Sequence, residues 1–333
     1  MLNLPRETPN QISPRDTVLL MIRGFQISQC VYAAVRLGIL DLLGDGSKHY
    51  QELATETNTH ADSLYRLLRT LVSLGILQEN QPDYFQNTPL AAYLRDDQVG
   101  TLRNWLITEI EESYACWGNF TQSLTTGEGA FKAMYGLDIE EYHRENPSLN
   151  KVYDQSMNDI TTFQIAKILE AYDFSSVEVL ADIGGGQGAF VSQLVELYPQ
   201  LQCTIFDLPG VAELANTHIN KLGLSNKIKA LGGNFFQGEL PKGADIATLI
   251  RVIFDHDDSR VSILLRNVFN ALEPGASLIL AEPMAGTPGQ EAMGDAYFGF
   301  YLLAMGRGRP RTQTEISTML QAAGFESISL LPS

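Results

Sequence analysis

Cysteine is scarce in this 333-residue chain. Its three, Cys30, Cys116 and Cys203, lie far apart with no C-x-x-C spacing, which indicates neither a disulfide framework nor a zinc knuckle. Cations are scarce as well. Against 39 Asp+Glu there are 23 Lys+Arg, a formal charge of −16, which argues against non-specific nucleic-acid binding and against a polybasic membrane anchor. No stretch reads as the ~18 continuous apolar residues of a membrane helix, and the N-terminus Met1-Leu-Asn-Leu-Pro-Arg has no apolar signal region. Internal repeats and low-complexity segments are absent. What is present is a 44% hydrophobic composition, that of an ordinary folded protein, with length enough for two domains. A soluble cytoplasmic protein without a membrane span is expected.

Residues 1–16 hold Pro5, Pro9 and Pro14 and read as a flexible tail. Residues 17–150 read as a mostly helical domain. Apolar residues at helical spacing run from Thr17 to Leu43, and a short helix follows over Tyr50–Thr57. A longer helix over His60–Leu74 carries Leu64, Leu67, Leu68, Leu71 and Leu74 on one face and closes on Gly75. Two small strands around Ile76–Glu79 and Tyr84-Phe85 complete the outline of a winged helix. That outline often reads DNA, yet three cations (Lys48, Arg66, Arg69) face four anions (Glu52, Glu56, Asp62, Glu79) across it. A packing or dimerisation module is the better reading, with a DNA-binding regulator as the remote alternative. Residues 89–173 look helical, with Trp105, Tyr114, Trp117 and Phe120 supplying apolar surface.

Residues 151–333 form the second domain. From Phe174 onward short β-rich runs alternate with helices: Val177–Ile183, Cys203–Phe206, Ile228–Leu231, Ile246–Ile253 and Ser277–Ala281. This alternation predicts an α/β fold with a parallel sheet covered on both faces. The first strand leads into Asp182-Ile183-Gly184-Gly185-Gly186-Gln187-Gly188-Ala189 and then a helix, and the second ends on Asp207. Glycines permit positive φ and a ligand's close approach, and a carboxylate at 207 can accept from both hydroxyls of a ribose. The spacing Gly184-x-Gly186-x-x-Ala189 formally admits NAD. Asp182 before the loop favours S-adenosylmethionine (SAM), whose ammonium and sulfonium attract carboxylates. A plain structural turn is a third reading.

Further markers follow in order: Phe206-Asp207-Leu208-Pro209, Gly233-Asn234-Phe235-Phe236, Leu240-Pro241-Lys242-Gly243-Ala244-Asp245 and Ala271-Leu272-Glu273-Pro274-Gly275. The series resembles the class I SAM-dependent small-molecule O-methyltransferases that carry an N-terminal dimerisation domain. The likeness extends through Trp117, Thr126-Gly127-Glu128 and Met157 over nearly the whole chain. Within that family, Arg251-Val252-Ile253-Phe254-Asp255-His256-Asp257-Asp258 and the segment from Glu282-Pro283-Met284 to Met305-Gly306 are most similar to carotenoid hydroxyl methyltransferases of the hydroxyneurosporene/demethylspheroidene type.

The resemblance implies a Rossmann-like methyltransferase domain preceded by a helical winged-helix dimerisation domain. It implies a homodimer of secondary metabolism that uses SAM and releases S-adenosyl-L-homocysteine (SAH). Asp182, Gly184, Gly186 and Gly188 would line the methionine end of the donor, Asp207 the ribose, and Leu208 and Phe235 the adenine faces. Asn234 would accept from the adenine amino group through its carbonyl, and Arg251 would touch the cofactor. An apolar acceptor would lie among Met157, Phe163, Phe236, Phe254, Phe298, Tyr301 and Met305. Family members also add a last antiparallel strand, whereas this sequence stops at Ser333 just after the strand-like run Glu326–Leu331, which leaves truncation or a further C-terminal tail open.

Plant relatives use a His after the fourth strand, oriented by two acids. Aligned without gaps, that His falls on Phe254, the first acid on Glu282 and the second on Pro310. The candidate proton acceptors are therefore Glu282 and His256, two residues beyond. His256 also reads as part of a solvated cap, with Asp255, Asp257 and Asp258 at a positive helix end. No His/carboxylate cluster has metal-ligand spacing, so no metal is expected. The loop 306–311, with Arg307, Arg309 and Arg311, is a basic spot of the kind that is usually solvated, and Thr312-Gln313-Thr314-Glu315 is a capping box. The predicted function is methyl transfer to a hydroxyl of a hydrophobic carotenoid-like, aromatic or polyketide-like metabolite. Transfer to nitrogen or carbon on the same scaffold is the alternative.

Overall fold

The computed structural model describes residues 13–331 apart from 99, 239, 289–297 and 307, and side chains other than those of 140, 154 and 158–163. Two compact units interleave along the chain. One comprises Met1–Ala115 with Glu140–Ile160, the other Cys116–Ile139 with Thr161–Ser333. Helix Pro147–Ala171 runs through residue 150 and contributes to both.

In the first unit the long opening helix starts where Ser13 Oγ accepts from the Asp16 amide and Pro14 occupies the first turn. It ends at Arg36, because Gly38 takes a left-handed conformation (φ 68°) and a second helix, Ile39–Leu43, starts in a new direction. The single helix expected over 17–43 is thus two. Helices Tyr50–Glu56 and Ala61–Ser73 pack through Leu53, Leu64, Leu68 and Leu71, and the second is closed by Gly75 at φ 75°. The wing has three strands where two were expected: β1 (Ser47–His49), β2 (Leu77–Gln81) and β3 (Tyr84–Asn87), in the antiparallel order β1-β3-β2. A three-residue strand is too short to show a period of two. Two cations of the motif are neutralised locally, Lys48 by Glu56 and Arg69 by Glu79.

Helix Pro14–Arg36 is long and apolar enough to cross a membrane by length and composition, contrary to the expectation that no stretch is. Arg23 and the glutamines break its apolar run without lowering its average much. Val18, Met21, Ile22 and Phe25 are all more than half exposed on it. Deeper in the same unit, a π-helical turn Glu109–Ser113 buries Glu112, whose Oε2 lies 2.9 Å from His143 Nε2.

The second unit is built on a parallel sheet of β4 (Val179–Ile183), β5 (Gln202–Asp207), β6 (Ile228–Gly232), β7 (Ile246–Ile250) and β8 (Ser277–Ala281), in the order β6-β5-β4-β7-β8. All five expected strands form. The burial of Leu180, Ile205 and Leu249 on both faces accounts for their continuous apolar runs. One apolar core lies under helices Ala189–Leu197 and Pro209–Leu222, the other under Asp258–Ala271 and Gln313–Ala323. The chain leaves β4 toward β5 and β6, then crosses back to β7 and β8. The carboxyl ends of β4 and β7 therefore flank the topological switch point, where open α/β sheets bind ligands.

One expectation near the C-terminus changes. No strand forms over 326–331, which lack a pairing partner among the described residues. Upstream of it the chain forms helix Gly299–Met305.

Candidate active site

The switch point is shaped by the glycine loop after β4. Asp182, 2% exposed, accepts a 2.6 Å hydrogen bond from Thr248 Oγ1 on β7, its register partner. Burial pushes its carboxyl up to about 7, with Thr248 opposing and Asp207 adding to the rise. A Cβ on Gly185 would collide with that carboxylate, and one on Gly184 (φ 75°) would stand 2.7 Å from Val252 Cγ2. These glycines let the loop lie directly on the strand ends. Gly185, Thr248 and Val252 were absent from the sequence-derived set, because their roles arise from contacts across β4 and β7. Gly186 (φ 57°) has open space where its Cβ would stand, and Gly188 (φ 86°) starts helix Ala189–Leu197.

Asp207 stands at the end of β5 beside this loop. Its Oδ2 accepts from the Gly186 amide at 2.9 Å and its Oδ1 from the Leu208 amide at 2.7 Å. Burial raises its pKa, opposed by those two amides. Leu208 is 46% exposed next to it. After β6, Asn234 Oδ1 accepts from the Phe236 amide at 2.9 Å and so caps the short turn Phe235–Gln237. One of its carbonyl lone pairs is thus engaged and one is left.

His256 is not the solvated cap the charge pattern suggested. Asp257 caps helix Asp258–Ala271 by accepting from the Arg260 amide, while the His256 ring is half-buried edge-on to Phe235 (5.8 Å) and Phe236 (5.1 Å). Its pKa is lowered, first by burial, then by Arg260 and Arg311, with Asp257 opposing. Burial thus favours the neutral form of the ring, which forms a wall beside the two phenylalanines.

The aromatic residues expected around the acceptor make two sets of ring contacts. Phe236 belongs with Phe235 and His256, whereas Phe254 meets Phe298 at 6.1 Å, and the Arg251 guanidinium lies over both rings at 5.3 and 5.8 Å. Met305 is buried and Tyr301 half-buried on helix Gly299–Met305. Met157 belongs to the other compact unit, and the Phe163 side chain lies outside the described residues. Arg251 follows β7 with φ 57°, a left-handed conformation costly for a residue with a Cβ.

Glu282 follows β8, directly beside Arg251 in register, since Ile250 pairs with Ala281. Its Oε1 accepts from the Val252 and Ile253 amides, both at 2.8 Å. Its Oε2 is buried with no hydrogen-bond partner among the described residues. Burial pushes the carboxyl up to about 8 against the pull of those two amides. Asp255 raises it further and Arg251 lowers it.

The basic loop is not a solvated patch. Arg311, 2% exposed, donates to Ile253 O (2.8 Å), His256 O (2.7 Å) and Asp258 Oδ1 (2.7 Å from Nη2). Arg309 bridges Asp258 and Glu315. A Cβ on Gly308 would collide with Phe254 O, so backbone packs on backbone there. The network pins the turn that carries Phe254 and His256. Arg307 lies outside the described residues. The expected capping box is present, with Thr312 and Glu315 hydrogen-bonded reciprocally.

Comparison with known proteins agrees with this geometry. The O-methyltransferase domain family matches residues 117–326, and the O-methyltransferase dimerisation domain matches residues 19–97. Phenazine O-methyltransferase PhzM of Lysobacter antibioticus is 32% identical over 96% of this chain and 93% of its own length. Demethylspheroidene O-methyltransferase of Cereibacter sphaeroides is 32% identical over 94% of this chain and 82% of its own. The crystal structure of human N-acetylserotonin methyltransferase in complex with SAM superposes with a TM-score of 0.86 at 26% identity, covering 96% of this chain and 94% of that one. With matching domains over most of its length and a Rossmann-like parallel sheet, the chain belongs to the SAM-dependent O-methyltransferase family with an N-terminal dimerisation domain.

Proposed function

We propose that this enzyme methylates a hydroxyl group of a hydrophobic, ring-bearing metabolite, with Glu282 as the proton acceptor. The observation that carries the reading is the buried, unpartnered Oε2 of Glu282 at the carboxyl edge of the sheet, beside a chain position where Phe254 replaces the expected His. SAM, when bound, supplies an electrophilic methyl group on a sulfonium. Asp207 accepts from the ribose hydroxyls, exchanging part of its hold on the Gly186 and Leu208 amides. Leu208 and Phe235 flank the adenine, Asn234 accepts from its amino group, and the Gly184–Gly188 loop with Asp182 borders the methionine end. The open space at Gly186 and the carboxylate beside it suit such a ligand.

Glu282 Oε1 is committed to two amides, so Oε2 is the atom left to take the hydroxyl proton as the acceptor oxygen bonds to the methyl carbon. Phe254 and Phe298 give the acceptor an apolar, aromatic wall. The exposed apolar residues of helix Pro14–Arg36 lie at the start of the dimerisation domain and suit a homodimer interface.

Mass spectrometry of products from paired aryl hydroxyl and aryl amine acceptors tests the reaction. A methyl ether supports the reading, and methylation confined to the amine refutes it. Asp207→Ala is expected to weaken SAH binding by about 100-fold in calorimetry, the scale of losing charge-assisted hydrogen bonds to both ribose hydroxyls. His256→Phe keeps the aromatic wall. It is expected to leave kcat within about threefold of wild type, where a lost general base would cost ~10²–10⁴.

A further inference from the structure

Arg251 carries more structure than a cofactor contact requires. Its backbone is held at φ 57° and its guanidinium is laid across Phe254 and Phe298. Among the described residues its guanidinium has no carboxylate or carbonyl partner. The other half-buried or buried arginines among them are all paired: Arg95 with Asp45 and Asp97, Arg103 with Asp41, Arg309 with Asp258 and Glu315, and Arg311 with Asp258. Contact with a ring uses none of the five N–H donors of a guanidinium, which form a planar fork that matches a carboxylate. The two rings thus hold the Arg251 guanidinium beside them without consuming a donor.

Arg251 and Glu282 each follow the last register pair of β7 and β8, Ile250 with Ala281, and no ion pair joins them among the described residues; the guanidinium acts on the carboxyl through space and lowers its pKa. Glu282 Oε1 is held instead by the Val252 and Ile253 amides. The carboxyl edge of β7 and β8 therefore carries both a guanidinium without a hydrogen-bonded anion and a carboxylate oxygen without a donor. A ligand that satisfies both presents an anionic group to one and a hydroxyl to the other, joined by a flat apolar body that fits Phe254 and Phe298.

We propose that Arg251 is an anion subsite for the acceptor, which is an aromatic compound bearing a carboxylate as well as the hydroxyl to be methylated. The subsite lies in the acceptor wall assigned above and rests on that reading. It narrows the substrate class from hydrophobic alcohols in general to hydroxyaryl acids.

The test uses ligands that cannot be methylated on a hydroxyl, so that it reads the subsite and not the chemistry. Binding of 2-naphthoate and of 2-naphthamide to the SAH-loaded enzyme is measured by calorimetry for wild type, R251Q and R251K. Wild type is expected to bind the naphthoate at least about tenfold more tightly than the uncharged amide, as a charge-assisted fork pair requires. In R251Q that preference falls to about one, and in R251K it is intermediate, because a point charge replaces the fork. SAH affinity stays within about twofold in both variants, which also shows that they are folded. Equal binding of the two probes by wild type, or a preference that survives in R251Q, overturns the proposal. A tenfold loss of SAH affinity in R251Q overturns it too, by returning Arg251 to the cofactor. Failure of the hydroxyl chemistry would leave these affinities untouched and shows instead in the product assay.

Discussion

Replacing Glu282 by Gln is expected to lower kcat by ~10²–10⁴-fold, the usual contribution of a positioned proton acceptor, while SAH binds as before. The substitution is nearly isosteric. The Gln carbonyl takes over the two amides now held by Oε1, those of Val252 and Ile253, so the turn after β7 keeps its anchor. Only the Oε2 site changes, from a proton acceptor to an NH2 donor.

The pH dependence separates this role from a structural one. The carboxyl titrates near 8 because it is buried, and only its ionised form accepts a proton. Activity of wild type is therefore expected to rise with pH through about 8 in kcat/KM. The midpoint in kcat is lower, because a bound sulfonium favours the carboxylate. E282Q should lose that limb. Stability runs the opposite way. A carboxyl whose folded pKa exceeds its unfolded value contributes fully below the unfolded pKa, and the contribution is lost as pH rises through about 8. Thermal midpoints of wild type recorded from pH 6 to 10 should fall up to about 8 and then level as far as this group is concerned, and E282Q should lose that fall. A pH profile of kcat/KM that is the same in both proteins removes Glu282 from the proton transfer.

Arg311→Met is expected to cost about 3 kcal/mol or more of stability, the largest effect of any single substitution considered. The side chain is 2% exposed and satisfies the carbonyls of Ile253, His256 and Arg309 together with Asp258. Methionine fills much of the volume but leaves Ile253 O and His256 O without donors, at ~1–3 kcal/mol for each buried acceptor. Denaturant midpoints measure the loss. Arg311→Lys should recover little, because an ammonium cannot span carbonyls of three residues and a carboxylate in one plane. Since the same guanidinium pins the turn bearing Phe254 and His256, R311M is expected to raise the KM for the acceptor while the pH midpoint stays at the wild-type value. A stability within 1 kcal/mol of wild type would show that water replaces the network.

Much of the sheet was legible because its signals are local. Five apolar runs at α/β spacing gave five strands, and Gly75, Gly188 and the Thr312–Glu315 box marked helix ends where they occur. The misreadings share one cause. Gly38 divides a helix whose apolar spacing continues through it. β1 exists only because β3 offers it an edge. Arg309 and Arg311 looked like a solvated basic patch since their counter-charge, Asp258, lies about 50 residues earlier in the chain. His256 looked like a cap because its charged neighbours are adjacent in sequence, whereas Phe235 and Phe236, which hold its ring, are not.

The scarcity of cysteine and of cations excluded a disulfide scaffold and a nucleic-acid binder, and the ordered markers from Asp182 to Met305 carried the resemblance to SAM-dependent O-methyltransferases that the matching domains show. Tertiary structure alone decided what each of those residues has left to offer. A hydrogen bond from Thr248 occupies Asp182, amides take one oxygen of Glu282 and leave the other bare, and two rings flank the Arg251 guanidinium without pairing its charge. Such vacancies depend on which groups meet across neighbouring strands and on what burial does to a charge there, and neither is written in the order of residues along the chain.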